Sequence, residues 1–312
     1  MVEIKLYTSE MSNEWNRFVD DSKNATFLHR REYMDYHSDR FQDCSLMAYS
    51  KGKLIAILPA NRVENTLYSH QGLTYGGWLI PIKHFTIINM LEVFDAMKSF
   101  LKSIDITKLI YKAIPHIYHT YPAEEDLYAI FRHGGELIET QISTTIELSN
   151  PFHFNDNYRN LRNKAKRNYL EIKEDTNFTT FWHILSQLLY DKYDTKPVHS
   201  FEEIEMLAER FPNNIKLYTA SQDNKMLAGV VIYESSTVAH AQYIASSEEG
   251  RNKGALALLF SHLIENVYAD KKYFDFGTSN EDHGRYLNEG LVMQKTGFGG
   301  RAIVHNIYKI TL

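Results

Sequence analysis

The stretch over residues 238–269 constrains the fold most, because it combines strand, loop and helix patterns in immediate succession. Residues 238–245, Val-Ala-His-Ala-Gln-Tyr-Ile-Ala, are predicted to form a strand. From Leu256 onwards, apolar residues recur at offsets of 0, 3, 4, 7, 8 and 11. These offsets trace one face of a helix. The sequence therefore predicts a strand that leads through a short loop into a helix.

The loop between this strand and helix carries glycines and cations, in the order Gly250, Arg251, Asn252, Lys253 and Gly254. A helix that begins here presents unpaired backbone N–H groups and the positive end of its dipole. Together with the two cations, these groups form a predicted anion site, suited to a phosphorylated ligand laid along the preceding strand. The alternative is a plain strand–turn–helix unit. Glu248 and Glu249 favour that alternative, because they lower the local positive potential.

The composition excludes several classes of protein. The 312 residues are enough for about two domains, and 44% of them are hydrophobic, which allows full cores. A formal charge of −5 gives no general sign of nucleic-acid binding. Cys44 is the only cysteine, which excludes an internal disulfide and a cysteine-based metal cluster. The N-terminus lacks signal-peptide features, and no segment approaches the ~20 apolar residues of a membrane span. We therefore expect a cytoplasmic protein without a bound metal.

The order of elements predicts an α/β protein with two mixed domains. Residues 1–150 combine short helices and strands, among them a helix over 31–40 and a strand over 54–62, with a longer helix over 85–104. Residues 151–312 open with a basic helix, continue with a strand meander over 215–245 and include a later helix over 284–295. The turn cluster at 149–151 marks the predicted boundary. Both halves follow a similar order of helices and strands, which is a hint of internal duplication.

Three segments resemble motifs of the GNAT acyltransferase superfamily, and more narrowly of its Fem-type members, in which two GNAT-like domains follow in tandem. Residues 251–255, Arg-Asn-Lys-Gly-Ala, resemble the pyrophosphate loop Arg/Gln-x-x-Gly-x-Gly/Ala. Residues 294–300, Gln-Lys-Thr-Gly-Phe-Gly-Gly, resemble the Fem-type segment Phe-Lys-x-Gly-Phe-Gly-Gly. Residues 160–167 resemble the basic helix that opens the second Fem-type domain. The match covers 155–312 by motif and 1–150 by element order.

Two positions depart from the superfamily pattern. Leu256 stands where the pyrophosphate loop ends in Gly or Ala. Met293 occupies a position where CoA-using members often have a tyrosine that protonates the departing thiolate. The long helical hairpin found in some members that use aminoacyl-tRNA is not evident. The sequence therefore predicts either acyl-CoA or aminoacyl-tRNA as the donor.

The resemblance implies an acyltransferase that moves an acyl or aminoacyl group from a CoA thioester or an aminoacyl-tRNA to an amine. Residues 1–150 would form a degenerate, acceptor-binding domain, and residues 151–312 the donor-binding, catalytic one. The implied acceptors are small molecules or precursors of the cell envelope or of polysaccharides. The implied partners also include tRNA. A non-catalytic binding protein with the same fold is the alternative, favoured by Leu256 and Met293. The sequence does not define the oligomeric state.

Acyl transfer to an amine requires a held donor carbonyl, a hydrogen-bond donor for the oxyanion and a base. The predicted donor-binding residues are Tyr243, Ile244, Ala245, Gly250, Arg251, Asn252, Lys253, Gly254 and Ala255. The predicted base is one of Glu281, Asp282 and His283, in a polar loop at a strand end, or His240 in the strand itself. The predicted acceptor contacts are Tyr75, Trp78, His116, Tyr118, Gln242, Arg285 and Tyr286.

Each of these predictions has a structural alternative. His240 and Gln242 share one face of the strand and equally suit a hydrogen-bonded pair. Asp282 also suits a helix N-cap, with Arg285 as its ion-pair neighbour.

The remaining polar segments also have two interpretations. The loop over 112–121 either binds the acceptor or packs on the surface. The glycines of residues 71–78 allow either close approach to a ligand or a tight turn. The basic helix contacts phosphate or RNA, or it is a solvated face. Its basic residues are Arg159, Arg162, Lys164, Lys166 and Arg167.

Overall fold

The computed structural model describes residues 1–312, except for the side chain of Tyr193. Packing divides the chain into two compact units. Unit 1 comprises residues 1–141, 282–284 and 304–312, and unit 2 comprises residues 142–281 and 285–303. The end of the chain belongs to unit 1 because residues 307–311 pair with the strand at 108–112. The boundary predicted near residue 150 does not include this return of the last residues to unit 1.

Unit 1 contains mixed strands and helices. Its strands are β1 (Val2–Leu6), β2 (Gln42–Asp43), β3 (Leu46–Ser50), β4 (Lys53–Leu58), β5 (Asn61–Val63), β6 (Thr66–Tyr68) and β7 (Lys108–Lys112). Its helices are α1 (Ser12–Asp20), α2 (Arg31–Met34), α3 (Ile87–Ser103) and α4 (Glu125–Arg132). The strands β8 (Glu136–Glu147) and β16 (Arg301–Thr311) each contribute residues to both units.

Two sheets and helix α3 build the core of unit 1. Strands β1, β3 and β4 form an antiparallel sheet, and the order of the other is β2-β5-β6-β7-β16. Within it, β6 and β7 are parallel. Helix α3 begins with a capping box between Thr86 and Asn89 and buries Val93, Phe94 and Met97, as its apolar periodicity predicts.

Two elements of unit 1 are shorter than the sequence predicts. The predicted strand over 54–62 is interrupted between Leu58 and Asn61, because Pro59 has no N–H to donate to a ladder. The predicted helix over 31–40 ends at Met34 and continues as a 3₁₀ turn, Asp35–His37.

Unit 2 is also mixed. Its helices are α5 (Asp156–Arg167), α6 (Phe178–Tyr193), α7 (Phe201–Arg210), α8 (Glu248–Lys253), α9 (Ala255–His262) and α10 (Glu289–Gly297). Its strands are β9 (Glu171–Asp175), β10 (Ile215–Gln222), β11 (Lys225–Glu234), β12 (Val238–Ser246), β13 (Tyr273–Thr278), β14 (Asn280–Glu281) and β15 (Tyr286–Leu287). The sheet order is β8-β13-β12-β11-β10-β9, in which β12 and β13 are parallel. The predicted meander is confirmed, whereas β9 was not predicted.

The helix after β12 begins earlier than predicted. Ser247 caps it by accepting a hydrogen bond from Gly250 N (3.0 Å), so α8 already starts at Glu248. Gly254, with φ of +77°, separates α8 from α9. The prediction of an irregular loop up to Gly254 was therefore wrong, and the acidic first turn of α8 was the missed helix signal.

The polar segment near residue 282 also differs from its prediction. Strands β14 and β15 pair as a short hairpin, and α10 begins only at Glu289, with Asn288 as its N-cap. The predicted helix over 284–295 was therefore placed too early, and Asp282 is not its cap. Across the described residues, no helix combines the length and the apolar character needed to cross a membrane.

Candidate functional site

The candidate site lies in unit 2, where β12 and β13 separate. The two strands pair in parallel over three positions, and the last pair is His240 with Asp275. Strand β12 stays paired with β11 on its other side as far as Ser246, with a bulge that leaves Gln242 as the extra residue. The second half of β12 therefore has one edge without a neighbouring strand.

Backbone N–H groups point towards this open edge. Ser247 N donates to Leu227 O (2.9 Å), and hydrogen bonding alternates along an antiparallel ladder. The groups of Ile244 and Ser246 therefore face away from β11, towards the edge that β13 has left. Arg251 uses this edge, because its Nη1 donates to Ser246 O (2.9 Å).

A cavity of about 240 Å³, here termed the strand-edge cavity, lies beside this part of β12. Its walls come from β12, β13 and helices α6, α8, α9 and α10, and are mostly apolar. The lining residues are Leu188, Leu189, Lys192, Ile244, Ala245, Ser246, Arg251, Leu256, Phe260, Phe276, Leu291, Gln294, Lys295 and Phe298. A cavity of about 450 Å³ shares Leu188, Lys192, Ser246 and Arg251 with it, and most of its other lining residues are polar or charged. Arg251 thus contributes to the walls of both cavities.

Of the predicted donor-binding strand residues, two line the strand-edge cavity. Ile244 and Ala245 are part of its wall. Tyr243 instead contacts His199, with its hydroxyl 2.5 Å from Nδ1, and packs against the ring of Trp182.

The predicted phosphate loop packs mostly against protein. A Cβ on Gly250 or Gly254 would lie 2.2 Å from a backbone carbonyl oxygen, and Ala255 is fully buried. Lys253 Nζ is bound by the side-chain oxygens of Gln222 (2.6 Å) and Glu249 (2.7 Å). Asn252 is exposed. Arg251 is the member of this segment that lines both cavities.

A buried carboxylate holds His240. Nδ1 of His240 lies 2.7 Å from Asp275 Oδ2, and the other oxygen of Asp275 accepts from the hydroxyls of Ser143 and Thr145 (both 2.7 Å). Asp275 is fully buried, and a buried carboxylate requires such partners. With Asp275 ionised, the proton sits on Nδ1 and the lone pair on Nε2, which suits His240 to act as a base.

Sequence reasoning named His240 but missed two partners of this site. Asp275 lies in the apolar strand Tyr-Phe-Asp-Phe, where an acidic residue indicates a buried, paired carboxylate. Lys295 lies in the motif over 294–300 and lines the strand-edge cavity. Its Nζ donates to Gly277 O (2.9 Å), Thr278 O (2.7 Å) and Ser279 Oγ (2.9 Å). Burial lowers the pKa of Lys295 to about 8.

The other predicted bases lie in an exposed turn. Glu281, Asp282 and His283 are all solvent-exposed, and the latter two have positive φ angles. His283 Nδ1 lies 3.3 Å from Glu139 Oε2. Asp282 and His283 belong to unit 1, whereas Glu281 belongs to unit 2 with His240. A catalytic role for these three residues stays a prediction.

The predicted acceptor contacts are scattered. Tyr75, Trp78 and Tyr118 are buried in unit 1, where the rings of Tyr75 and Tyr118 lie 4.3 Å apart. His116 is exposed, and Gln242 is half-buried at the bulge in β12. Arg285 and Tyr286 are exposed on the β14–β15 hairpin. The burial of the three aromatic residues supports a packing role, and acceptor binding by this set stays a prediction.

Comparison with protein families supports the motif-based assignment. Residues 153–285 match a family model described as an acetyltransferase (GNAT) domain. This range includes His240, Arg251 and Asp275. No curated protein sequence matches the chain significantly.

The fold is similar to several solved structures over nearly the whole chain. The match to a crystal structure of FemX has a TM-score of 0.68 and 11% identity, and covers 99% of this chain and 97% of that one. A conserved protein of unknown function from Bacteroides thetaiotaomicron gives 0.66 and 10%, with full coverage of both chains. The C-terminal domain of a putative lysylphosphatidylglycerol synthetase from Agrobacterium fabrum gives 0.61 and 12%, covering 97% and 92%.

These comparisons confirm the predicted fold class, an α/β architecture with mixed sheets, and the GNAT assignment of residues 153–285. They also place the open strand edge and the His240–Asp275 pair inside the matched segment. The chain therefore carries a GNAT-type domain at residues 153–285 and shares its overall fold with FemX.

Proposed function

We propose that this protein is an N-acyltransferase that moves an acyl or aminoacyl group from an activated donor to an amine. The observation that carries the proposal is the open edge of β12. It has the Arg251-lined cavities at one end and the His240–Asp275 pair at the other.

The donor would lie along the open strand edge. The free N–H groups of Ile244 and Ser246 suit a carbonyl oxygen whose negative charge grows in the transition state. Arg251 and Lys192, in the walls of both cavities, suit an anionic part of the donor. Apolar contacts inside the strand-edge cavity would hold the uncharged part.

His240 would act as the base. The amine attacks the donor carbonyl carbon, the new C–N bond forms, and Nε2 of His240 accepts the proton released from the nitrogen. Collapse of the tetrahedral intermediate breaks the C–S or C–O bond, and the leaving group departs as a thiol or alcohol with the proton that the His240 imidazolium returns, directly or through solvent. Asp275 stabilises the imidazolium that forms, because its carboxylate lies 2.7 Å from Nδ1.

The donor is a CoA thioester or an aminoacyl-tRNA. Met293, at the position where a tyrosine acid often occurs, is 72% exposed and does not line the strand-edge cavity. The loss of this acid favours the aminoacyl ester. The fold shared with a putative lysylphosphatidylglycerol synthetase also supports an aminoacyl donor. We propose an amine on a small molecule or a cell-envelope precursor as the acceptor.

Donor binding tests the assignment of Arg251. We expect Arg251→Gln to weaken binding of the donor about tenfold, because one charge-assisted hydrogen bond is lost. Lys253→Gln is the matched control, since its ammonium is bound by Gln222 and Glu249. Titration calorimetry with acetyl-CoA and with aminoacylated tRNA measures both variants and identifies the donor class. Equal affinity of wild type and Arg251→Gln would remove the site.

A binding protein that has lost the chemistry is the second candidate. Leu256 favours it, because its branched side chain lines the cavity where the superfamily pattern has a small residue. This candidate predicts donor binding that depends on Arg251 but no transfer to any amine, even with His240 intact. Single-turnover assays with radiolabelled donor and a panel of amines distinguish the two.

A further inference from the structure

A third cavity in unit 2 lies apart from the proposed transfer site. It has a volume of about 500 Å³ and shares no lining residue with the strand-edge cavity. Its walls come from the end of β8, residues 151–154, helix α5 and the segment after α9. We call it the Phe152 cavity.

The cationic wall of the Phe152 cavity contains a guanidinium with a free edge. Nη1 of Arg162 donates to Ser261 Oγ (3.3 Å) and Glu265 Oε1 (3.2 Å). Nε of Arg162 is buried and has no hydrogen-bond partner. Nε and Nη2 form the side of the guanidinium that carboxylates and phosphates bind with two oxygens. Because buried donors nearly always have a hydrogen-bond partner, this Nε–H indicates a place for a bound acceptor.

Other parts of the wall are aromatic and aliphatic. Phe152 is 57% exposed, and the guanidinium of Arg301 lies 3.9 Å from its ring centroid. Phe154 is buried and lines the cavity together with Ile264. Ile264 and Glu265 belong to a π-helical turn, Leu263–Val267, and such wide turns are frequent at functional sites.

The charges around the cavity are nearly balanced. Arg159 also lines it but forms an ion pair with Asp156 on the same helix. Glu265 forms an ion pair with Arg162 and partly neutralises its charge. An incoming anion would therefore bind through the free edge of Arg162 and not through a broad positive field, which favours a small ligand over a polyanion.

We propose that the Phe152 cavity binds a small organic anion, with a carboxylate or phosphate on an apolar body. Two oxygens of the anion accept from Nε and Nη2 of Arg162. The apolar body packs against Phe152, Phe154 and Ile264. The site is independent of the proposed transfer reaction.

Titration of the whole protein with benzoate, phenyl phosphate and benzyl alcohol tests this site. We expect saturable binding of at least one anion, and binding of the neutral alcohol at least about tenfold weaker. The arginine Nε–H signals in ¹⁵N-labelled protein report the contact directly, and that of Arg162 should shift. The two anions distinguish carboxylate from phosphate recognition. Absence of saturable anion binding at about 10 mM, or equal binding of the alcohol, would overturn the proposal.

Variants locate the binding. Arg162→Lys keeps the charge but loses the two parallel N–H donors of Nε and Nη2, so anion affinity should fall at least about tenfold. Arg167→Lys, on the exposed face of the same helix, is the matched control and should leave the affinity unchanged. Glu265→Gln removes the competing carboxylate and should tighten binding, and Phe152→Ala should weaken it. If Arg162→Lys does not fold, these last two variants still decide, and unchanged affinity in both refutes the site.

Discussion

Each unit contains a buried carboxylate with a different set of partners. In unit 1, Asp126 accepts from the hydroxyl of Tyr111 (2.6 Å), which in turn accepts from Trp78 N (2.7 Å). In unit 2, Asp275 binds His240, whose second ring nitrogen is left available. The first chain of hydrogen bonds ends on the backbone and the second on a titratable group. A buried acid thus serves packing in one unit and suits chemistry in the other.

The two parallel strand pairs show the same contrast. Strands β6 and β7 pair over three positions, as β12 and β13 do. In unit 1 the following loop fills the opening, because Gly76 N donates to Lys112 O (3.2 Å) and Lys112 Nζ donates to Leu73 O (2.8 Å). In unit 2 the corresponding opening leads to the strand-edge cavity. Most residues of the glycine-rich loop over 71–78 are buried, which supports a packing role for this loop.

The largest expected difference is between replacing Asp275 and replacing Asp126. Asp275→Asn should lower the transfer rate by about 10²–10⁴-fold, because His240 loses its oriented proton and the imidazolium its counter-charge. Asp126→Asn should leave the rate nearly unchanged. Single-turnover rates with the donor found by titration measure both. His283→Ala is an added control for the exposed turn, and a larger loss there than in Asp275→Asn would contradict the assignment of the base.

The two units should also differ in their stability in acid. Burial lowers the pKa of His29 to about 4, of His70 to about 3 and of His119 to about 4, all in unit 1. These folded-state pKa values lie below the unfolded value of about 6.5. The stabilisation is therefore complete above pH 6.5 and is lost as the pH falls towards the folded pKa, by about 3 kcal/mol for His29.

Hydrogen exchange at pH 7 and pH 4.5, corrected for intrinsic rates, measures this loss for each unit. We expect the amides of unit 1 to lose protection first. His29→Gln should reduce the pH dependence, because its amide oxygen can still accept from Thr26 N as Nδ1 does (3.0 Å). Equal acid sensitivity of both units would show that the buried histidines of unit 1 do not control it.

The smallest expected effect comes from replacing either of two glycines with a left-handed backbone, Gly277 (φ +77°) and Gly77 (φ +94°). Each replacement by alanine should lower the unfolding free energy of the protein by about 1–2 kcal/mol. The new Cβ would lie 3.2 Å from His240 Cε1 in the first and 2.7 Å from the Tyr111 hydroxyl in the second. Gly277→Ala should therefore also slow transfer, whereas Gly77→Ala should change stability alone. Urea unfolding and single-turnover rates separate the two effects, and an unchanged rate in Gly277→Ala would place His240 outside the reaction.

The sequence by itself determined the local elements and the type of domain. Helix α3 and the meander over 215–245 followed from apolar periodicity and turn residues, because both are set by neighbours along the chain. The motifs over 251–255 and 294–300 indicated the superfamily that the family comparison confirms. The start of α8 was also readable, from Ser247 followed by two acids, although it was missed.

Only the tertiary structure decided which polar groups meet. Asp275 binds His240 from 35 residues away and Ser143 from 132 residues away, and no local pattern specifies such partners. The parting of β12 from β13, the cavity beside it and the closed opening in unit 1 depend likewise on contacts between distant segments. Local hydrogen bonding and periodicity are set by adjacent residues, whereas the pairing of buried charges is set by packing, because an unpaired charge in a core is too costly to keep.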